Sequence, residues 1–457
     1  MDWSRLLNNS RLRQSRRTNE ADARNDFESD FGRIIFSPAV RRMHDKTQVF
    51  PLTTDDNIHS RLTHSLEVMS VGYTLATRLC DSPEFQKRIG RDKYDLFRVI
   101  PVIVKNLCLV HDIGNPPFGH FGETVIQNFF REFFESEKGK EILISEEQKN
   151  DFVNFDGNAQ GLRVLTKLQI LNDDTGLNLT FATLGAYIKY PNYSKPDPDG
   201  TRLETKKVGV FTSEKGHFEK IVEECGLKIK DQIVRHPLCY LMEAADSICY
   251  LTMDIEDGYN KKIFDLKYLF DRLSTIPSIK AKIENIYFDK ENYYKNDVTK
   301  VVNFRITVIQ ALVILASENF EKNIEKIESG EYGFELIKDD RSNGLAAELD
   351  AICSAKIFPF RDINSLEITG HSVIGGLLDH YICLVFHKDK KYVRRANALI
   401  SNSIIRAALA ENKLEETKSI SDLDDYSKLR VIVDFVSGMT DQYAVNHFQK
   451  LSGQKII

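Results

Sequence analysis

The stretch HDIGNPPFGHFGE, residues 111–123, decides how this chain is read. It follows an apolar run with Val102, Ile103, Val104, Leu107, Leu109 and Val110, the pattern of a helix buried on most sides. Gly114, Pro116 and Pro117 end that helix, because proline lacks an N–H and clashes with the preceding turn. Helical spacing resumes near Gly119 and carries Phe121, Val125, Phe129 and Phe133 to one side. A carboxylate such as Asp112 at the end of a buried helix needs a partner, since an unpaired charge out of water is strongly disfavoured. A divalent cation suits His111 and Asp112 together, and His120 with Glu123 supplies groups able to move protons beside it. The stretch therefore reads as a metal-dependent hydrolytic site between two helices.

Working outward, helical periodicity continues over residues 65–79 and 96–110, with Pro101 marking a kink or the first turn of the second segment. Further helices are expected at 158–168, 237–253, 301–317, 372–386, 391–410 and 429–438. Residues 192–207 read as a loop, and 138–150 as a solvated helix end or a mobile insertion. Short strands are expected at 32–36, 177–180 and 357–359, too few for a large sheet. The expectation is an all-α, mainly helical fold. It has a basic N-terminal arm at 1–29, a catalytic core at 30–260, and a helical region at 261–457 that completes the pocket and an oligomer interface.

Composition narrows the function classes. With 457 residues and 42% hydrophobic content the chain can bury a large core, and a formal charge of −5 offers no global field for nucleic acid. Arg11, Arg13, Arg16 and Arg17 form a local cluster, read as a solvated arm in preference to a polyanion contact. Seven scattered cysteines without a CxxC pair suggest reduced, mostly buried thiols. No signal-type N-terminus or uninterrupted span-length apolar run is present, so a cytoplasmic enzyme away from membranes is expected.

His111 and Asp112 project about 100° apart on a helix, so one ion must sit over the helix end and recruit ligands from elsewhere. His64, in RLTHS at the start of an amphipathic segment, is the best imidazole, and Asp246, in LMEAADSI, the best distal carboxylate. Taken singly each is more often structural; together they make a set typical of one cation. The strings RRMHDKTQVFPL, RLTHSLEV, HDIGNPPFGHFGE, EAADSICY and GMTDQYA resemble bacterial deoxyguanosine triphosphate triphosphohydrolases, a family of HD-domain phosphohydrolases. The likeness runs from about Asp30 to Phe448. It implies a helical fold, hydrolysis of a dNTP (dGTP by preference) to deoxynucleoside and tripolyphosphate, and an oligomer, typically a hexamer.

By motif position the resemblance assigns His64, His111, Asp112 and Asp246 to the metal, with manganese or magnesium expected and iron the alternative. His120 is then the general acid and Glu123 its orienting partner, against the simpler reading that His120 only caps its helix. Arg61, one turn before His64, would bind phosphate, with Lys189 and Tyr190 as further phosphate contacts. Tyr250 and Asp254 share a helix face with Asp246, and the resemblance points them at sugar or phosphate. Gln48 would face the nucleoside, and Asn158 is a weaker substrate contact. Asp441, Gln442 and Tyr443 either touch the base or pack an interface. Arg394, Arg395 and Arg406 either reach a neighbouring subunit's ligand, an allosteric nucleotide or single-stranded DNA, or form a solvated face. Two rival functions are a deoxynucleoside monophosphate phosphatase of the HD type, and a nucleotide- or single-strand-binding regulator with a degenerate site.

Overall fold

The structure is a computed structural model and describes residues 1–14, 22–50, 52, 58–169, 175–193, 195–199, 202–338 and 344–454. Among these residues the chain is helical almost throughout, and the one sheet is a two-stranded antiparallel pair, Lys228–Ile229 with Gln232–Ile233. Arg16 and Arg17 lie outside the described residues.

Three helices form the centre. Arg61–Asp81 starts at a capping box in which Ser60 and Thr63 satisfy each other's backbone N–H. Lys93–Val110 is capped by Asp92 and carries Pro101 in its interior, neither at its first turn nor at its end. Pro237–Asn260 is capped by His236, whose Nδ1 accepts from Leu238 N at 3.1 Å. The first two cross closely at Gly72, where an added Cβ would meet Cys108 Sγ at 2.4 Å. Leu75, Ile103, Leu107, Ala245 and Ile248 fill the space between them. This core continues past residue 260 into Asp297–Lys322 through Phe304, Val308 and Leu312, so the core does not divide at 260/261.

A second core lies beside the first. Phe130, Phe152, Phe155, Leu377, Tyr381, Leu429 and Val433 pack helices Gly119–Glu135, Arg361–Val385 and Asp425–Ser437 together. The turn between His111 and Gly119 bridges the two: Ile113 is buried in the first core and Phe118 in the second. Two helices, Asp297–Lys322 and one stretch of Arg361–Val385, are long and apolar enough to cross a membrane, and both pack one side into these cores.

Several local expectations change. Residues 32–35 are helical, the end of Asp26–Ile35 with Phe36 as its C-cap, because Asn25 and Glu28 form a capping box that nucleates a helix there. Residues 177–180 contribute only a single bridge, Thr180 to Arg11, and 357–359 follow a wide helical turn, Cys353–Ile357. The segment 391–410 is two helices, Lys390–Leu399 and Asn402–Glu411, interrupted at Ile400 and Ser401. Residues 138–150 hold the short helices Glu137–Lys140 and the start of Glu146–Val153.

The described part of the expected basic arm is docked. Trp3, Leu6 and Leu7 are buried in the first core, and His236 Nε2–H donates to Leu6 O at 3.0 Å. Arg11 is 8% exposed, pairs with Asp30 at 2.6 Å and donates to the carbonyl of Asn178. An arginine so buried and fully paired is structural, which corrects its reading as part of a solvated cluster. Six cysteines are buried and Cys383 is exposed; all are free.

Candidate metal centre and active cleft

Three atoms able to ligate a metal converge behind the turn at residues 111–119. His64 Nε2 stands 3.1 Å and His111 Nε2 3.3 Å from the same oxygen, Asp246 Oδ1. One ligand atom from each residue lies within 4.8 Å of the others, the spacing of donors around a single ion. The helices dictate this. His64 sits one turn inside its capped helix, His111 ends the next, and Asp246 projects from the middle of the third.

The donor chemistry fits a cation. His111 Nδ1–H donates to the Cys108 carbonyl at 2.7 Å, which leaves the Nε2 lone pair aimed at the cluster. That Nε2 is buried and makes no hydrogen bond. Burial disfavours a charged His111, but Asp112 and Asp246 beside it outweigh this and push its pKa up to about 9. Burial likewise acts against Asp246, yet the two histidines hold it well below the usual carboxylate range. Such a strained balance of protons is what a divalent ion replaces.

Asp112 stands a little apart. Its Oδ2 is 3.6 Å from His111 Nε2, but the carboxylate is ion-paired with Arg61 and accepts from Asn115 Nδ2 at 2.7 Å. Arg61, expected at the phosphates, is therefore also the counter-charge of Asp112. Its guanidinium lies against Gly119, where an added Cβ would meet Nη2 at 2.4 Å and where φ is +59°. Only glycine meets both demands.

His120 and Glu123 pair as expected, Nδ1 to Oε2 at 2.9 Å. The other oxygen of Glu123 accepts from Gly157 N at 2.7 Å, which locks the carboxylate. The two differ sharply in access: the His120 side chain is 73% exposed and that of Glu123 6%. The charge of Glu123 and its hydrogen bond raise the His120 pKa, which favours the protonated ring. The ring is thus not merely a helix cap; the helix start has no side-chain cap at all.

A cleft of about 510 Å³ opens on these groups. His111, Asp112, Asp246 and His120 line it, as do Gln48, Arg61, Asn158, Lys189, Tyr190, Tyr250 and Asp254. His64 and Glu123 stand behind its wall. Within it, Asn158 already donates twice to Asp156 Oδ1 at 2.8 Å, and Lys189 Nζ is 3.4 Å from Glu243 Oε1. Gln48 Oε1 is buried without a partner. Burial and the neighbouring Asp257 push Asp254 well above the ordinary carboxylate range.

The cleft also holds residues that the sequence reading missed. Lys207, dismissed within a polar loop, reaches it with Nζ 3.1 Å from Asp156 Oδ2. Phe358 and Glu367 line it from the C-terminal half, and no short motif marks them. Asp441 does not line the cleft. Its Oδ1 accepts from Phe118 N and its Oδ2 from Thr47 N, both at 3.0 Å, tying the Gln48 segment to the turn before His120. The signal was the GMTDQYA string itself, whose role only long-range contacts define.

Residues 61–186 match the HD domain and residues 387–450 the phosphohydrolase-associated domain. A deoxyguanosinetriphosphate triphosphohydrolase-like protein of Listeria innocua is 35% identical over 99% of this chain and 100% of its own length. One of Synechocystis sp. is 32% identical over 99% of both chains. The chain belongs to the deoxyguanosine triphosphate triphosphohydrolase family of HD-domain phosphohydrolases. A third member, named deoxyguanosinetriphosphate triphosphohydrolase, from Salmonella paratyphi A, is 31% identical over 93% of each chain. Asp246 lies outside the HD-domain match, whereas the other two members of the cluster, His64 and His111, lie inside it.

Proposed function

We propose that this family member is a divalent-metal-dependent dNTP triphosphohydrolase that prefers dGTP and releases deoxynucleoside and tripolyphosphate. The observation that carries the reading is one cleft lined by His111 and Asp246 of the His64–His111–Asp246 cluster, by His120 of the His120–Glu123 pair and by a cationic wall.

His64, His111 and Asp246, with Asp112 beside them, would hold manganese or magnesium, or iron. When bound, the ion supplies a Lewis acid for the phosphoryl oxygen and a water of lowered pKa. The protein's own groups do the rest. Glu123 keeps the His120 ring oriented and protonated, and His120 delivers that proton to the departing 5′-oxygen of the sugar. Arg61, Lys189, Tyr190 and Lys207 offset the negative charge of the phosphates. Tyr250 packs against the sugar and leaves little room for a 2′-hydroxyl, while Asp254 meets the 3′-hydroxyl and Asn158 a phosphate oxygen. Gln48 faces the nucleoside. Glu367 is a half-buried carboxylate with no hydrogen-bond partner among the described residues, and Phe358 lines the same cleft. A carboxylate acceptor beside an aromatic face suits the two adjacent donors of a guanine edge and its flat ring.

A homo-oligomer, a hexamer by family resemblance, and a response to a second nucleotide or to single-stranded DNA accompany this reading. The test is turnover of each dNTP in turn, with manganese or magnesium and chromatographic product analysis. Deoxyguanosine and tripolyphosphate in equal amounts, fastest from dGTP, are expected. Orthophosphate from dGMP, with dNTPs untouched, would instead mean a monophosphate phosphatase.

A further inference from the structure

Behind the catalytic turn lies a second cavity, of about 550 Å³, within the range that small ligands occupy. Alternate residues of one turn serve the two spaces. Asp112 and Asn115 line the active cleft, whereas Ile113 and Gly114 line the second cavity. The facing wall comes from the phosphohydrolase-associated region through Ile404, Ser437 and Tyr443. Residues of both matched regions thus meet at the cavity, together with Arg33 to Lys46 from the segment before the first, and the active cleft is its neighbour.

Its lining combines apolar surface with surplus positive charge. Val164, Leu168 and Leu177 join Ile113 on the apolar side. Arg42 has no carboxylate partner among the described residues, and burial with the nearby Arg41 charge lowers its pKa. Lys46 is 4% exposed and donates to the carbonyls of Asn115, at 2.5 Å, and Ser437, at 2.9 Å, which uses two of its three N–H groups. Burial and the Arg42 charge depress the Lys46 pKa to about 7, the mark of an ammonium short of negative charge. Asp434, the carboxylate of the lining, is already held by Arg163, Gln160 and Arg430. Ser437 Oγ is buried at 2% exposure and has no hydrogen-bond partner. A buried hydroxyl without a partner and cations without a carboxylate, next to apolar walls, describe a site built for something anionic and partly apolar.

From this geometry we infer that the second cavity is an effector site for an amphipathic anion, a single carboxylate or phosphate head on an apolar body. The head lies between Arg42 and Lys46 and accepts from Ser437 Oγ, and the body fills the apolar side. A triphosphate brings more negative charge than Arg33, Arg42 and Lys46 of this lining balance, which separates this ligand from the substrate. Occupancy reaches the active site through one residue. A head group beside Lys46 competes with the Asn115 carbonyl for its N–H groups, and the Asn115 side chain donates to Asp112 at 2.7 Å.

The test needs no turnover, so it stands or falls apart from the proposed activity. Anilinonaphthalene sulfonate, a fluorescent amphipathic anion, is titrated into the full chain. Saturable binding at one site is expected, weakened at least about tenfold in Arg42→Gln, a loss of about 1.4 kcal/mol. Ile404→Trp, which fills the cavity from its other wall, abolishes it. Octanoate and octyl phosphate displace the dye and octanol does not; whichever anion acts at lower concentration identifies the head. Octanoate or octyl phosphate also alters amide hydrogen exchange at residues 111–119, the turn that Lys46 ties through the Asn115 carbonyl. No saturable binding, binding that survives either substitution, displacement by octanol as effective as by the anions, or unchanged exchange in that segment overturns the inference.

Discussion

His111 and His120 belong to one short stretch, yet they stand on different foundations. The first is 7% exposed, packed among three long helices of one core, its ring fixed by a carbonyl and aimed at a buried cluster. The second tops a helix of the other core and presents a largely exposed ring, steered only by Glu123. The buried end is rigid by packing and suits ligands that must hold fixed positions. The open end suits a group that must meet a substrate and exchange a proton with it. The separation teaches that holding the ion and moving the proton can be disturbed one at a time.

Three substitutions probe that separation, in decreasing order of effect. Asp246→Asn, nearly isosteric, removes the negative charge that both histidines share. Divalent-ion binding measured by calorimetry should vanish, and turnover should fall about 10⁴-fold or more. His120→Ala should cost about 10²–10⁴-fold in turnover while ion binding stays intact. A loss of ion binding here would erase the distinction between the two ends. Glu123→Gln sharpens it. Because Glu123 raises the His120 pKa, the protonated ring persists below the folded pKa and is lost as pH rises through it. Without that charge the alkaline limb of the pH–rate profile should move to lower pH. Asp441→Ala touches neither end directly. It leaves the buried N–H of Phe118 and that of Thr47 without their acceptor, about 1–3 kcal/mol of stability in a denaturant titration, with a smaller loss of turnover.

The buried end was the more legible in the sequence. His64, His111 and Asp246 are chemistry-bearing residues in apolar or amphipathic segments, and helical spacing alone brings each to a face. The His120–Glu123 pair was legible for the same reason, being three apart on one helix. What the sequence could not show were partnerships made across the fold. Arg61 reads as a phosphate ligand, but its pairing with Asp112 depends on two helices meeting, and on Gly119 leaving the space. Lys207 sits in a loop whose polarity hides it. Phe358 and Glu367 reach the cleft from a distant segment. The fold class followed from periodicity, yet residues 32–36 were misread as strand because the capping box at Asn25 and Glu28 was overlooked. Arg11 was misread because local charge density says nothing of a buried Asp30 waiting elsewhere.

The Asp441 tie has a consequence for biosynthesis. Its hydrogen bonds span 323 and 394 residues of sequence, to Phe118 and Thr47 respectively. Translation delivers the N-terminal partners long before the carboxylate that fastens them. On the ribosome, the helices that gather the imidazoles can pack early. The strap between the Thr47 segment and the turn at Phe118 is fastened only near the close of synthesis, so an unfinished polypeptide carries its cleft unassembled.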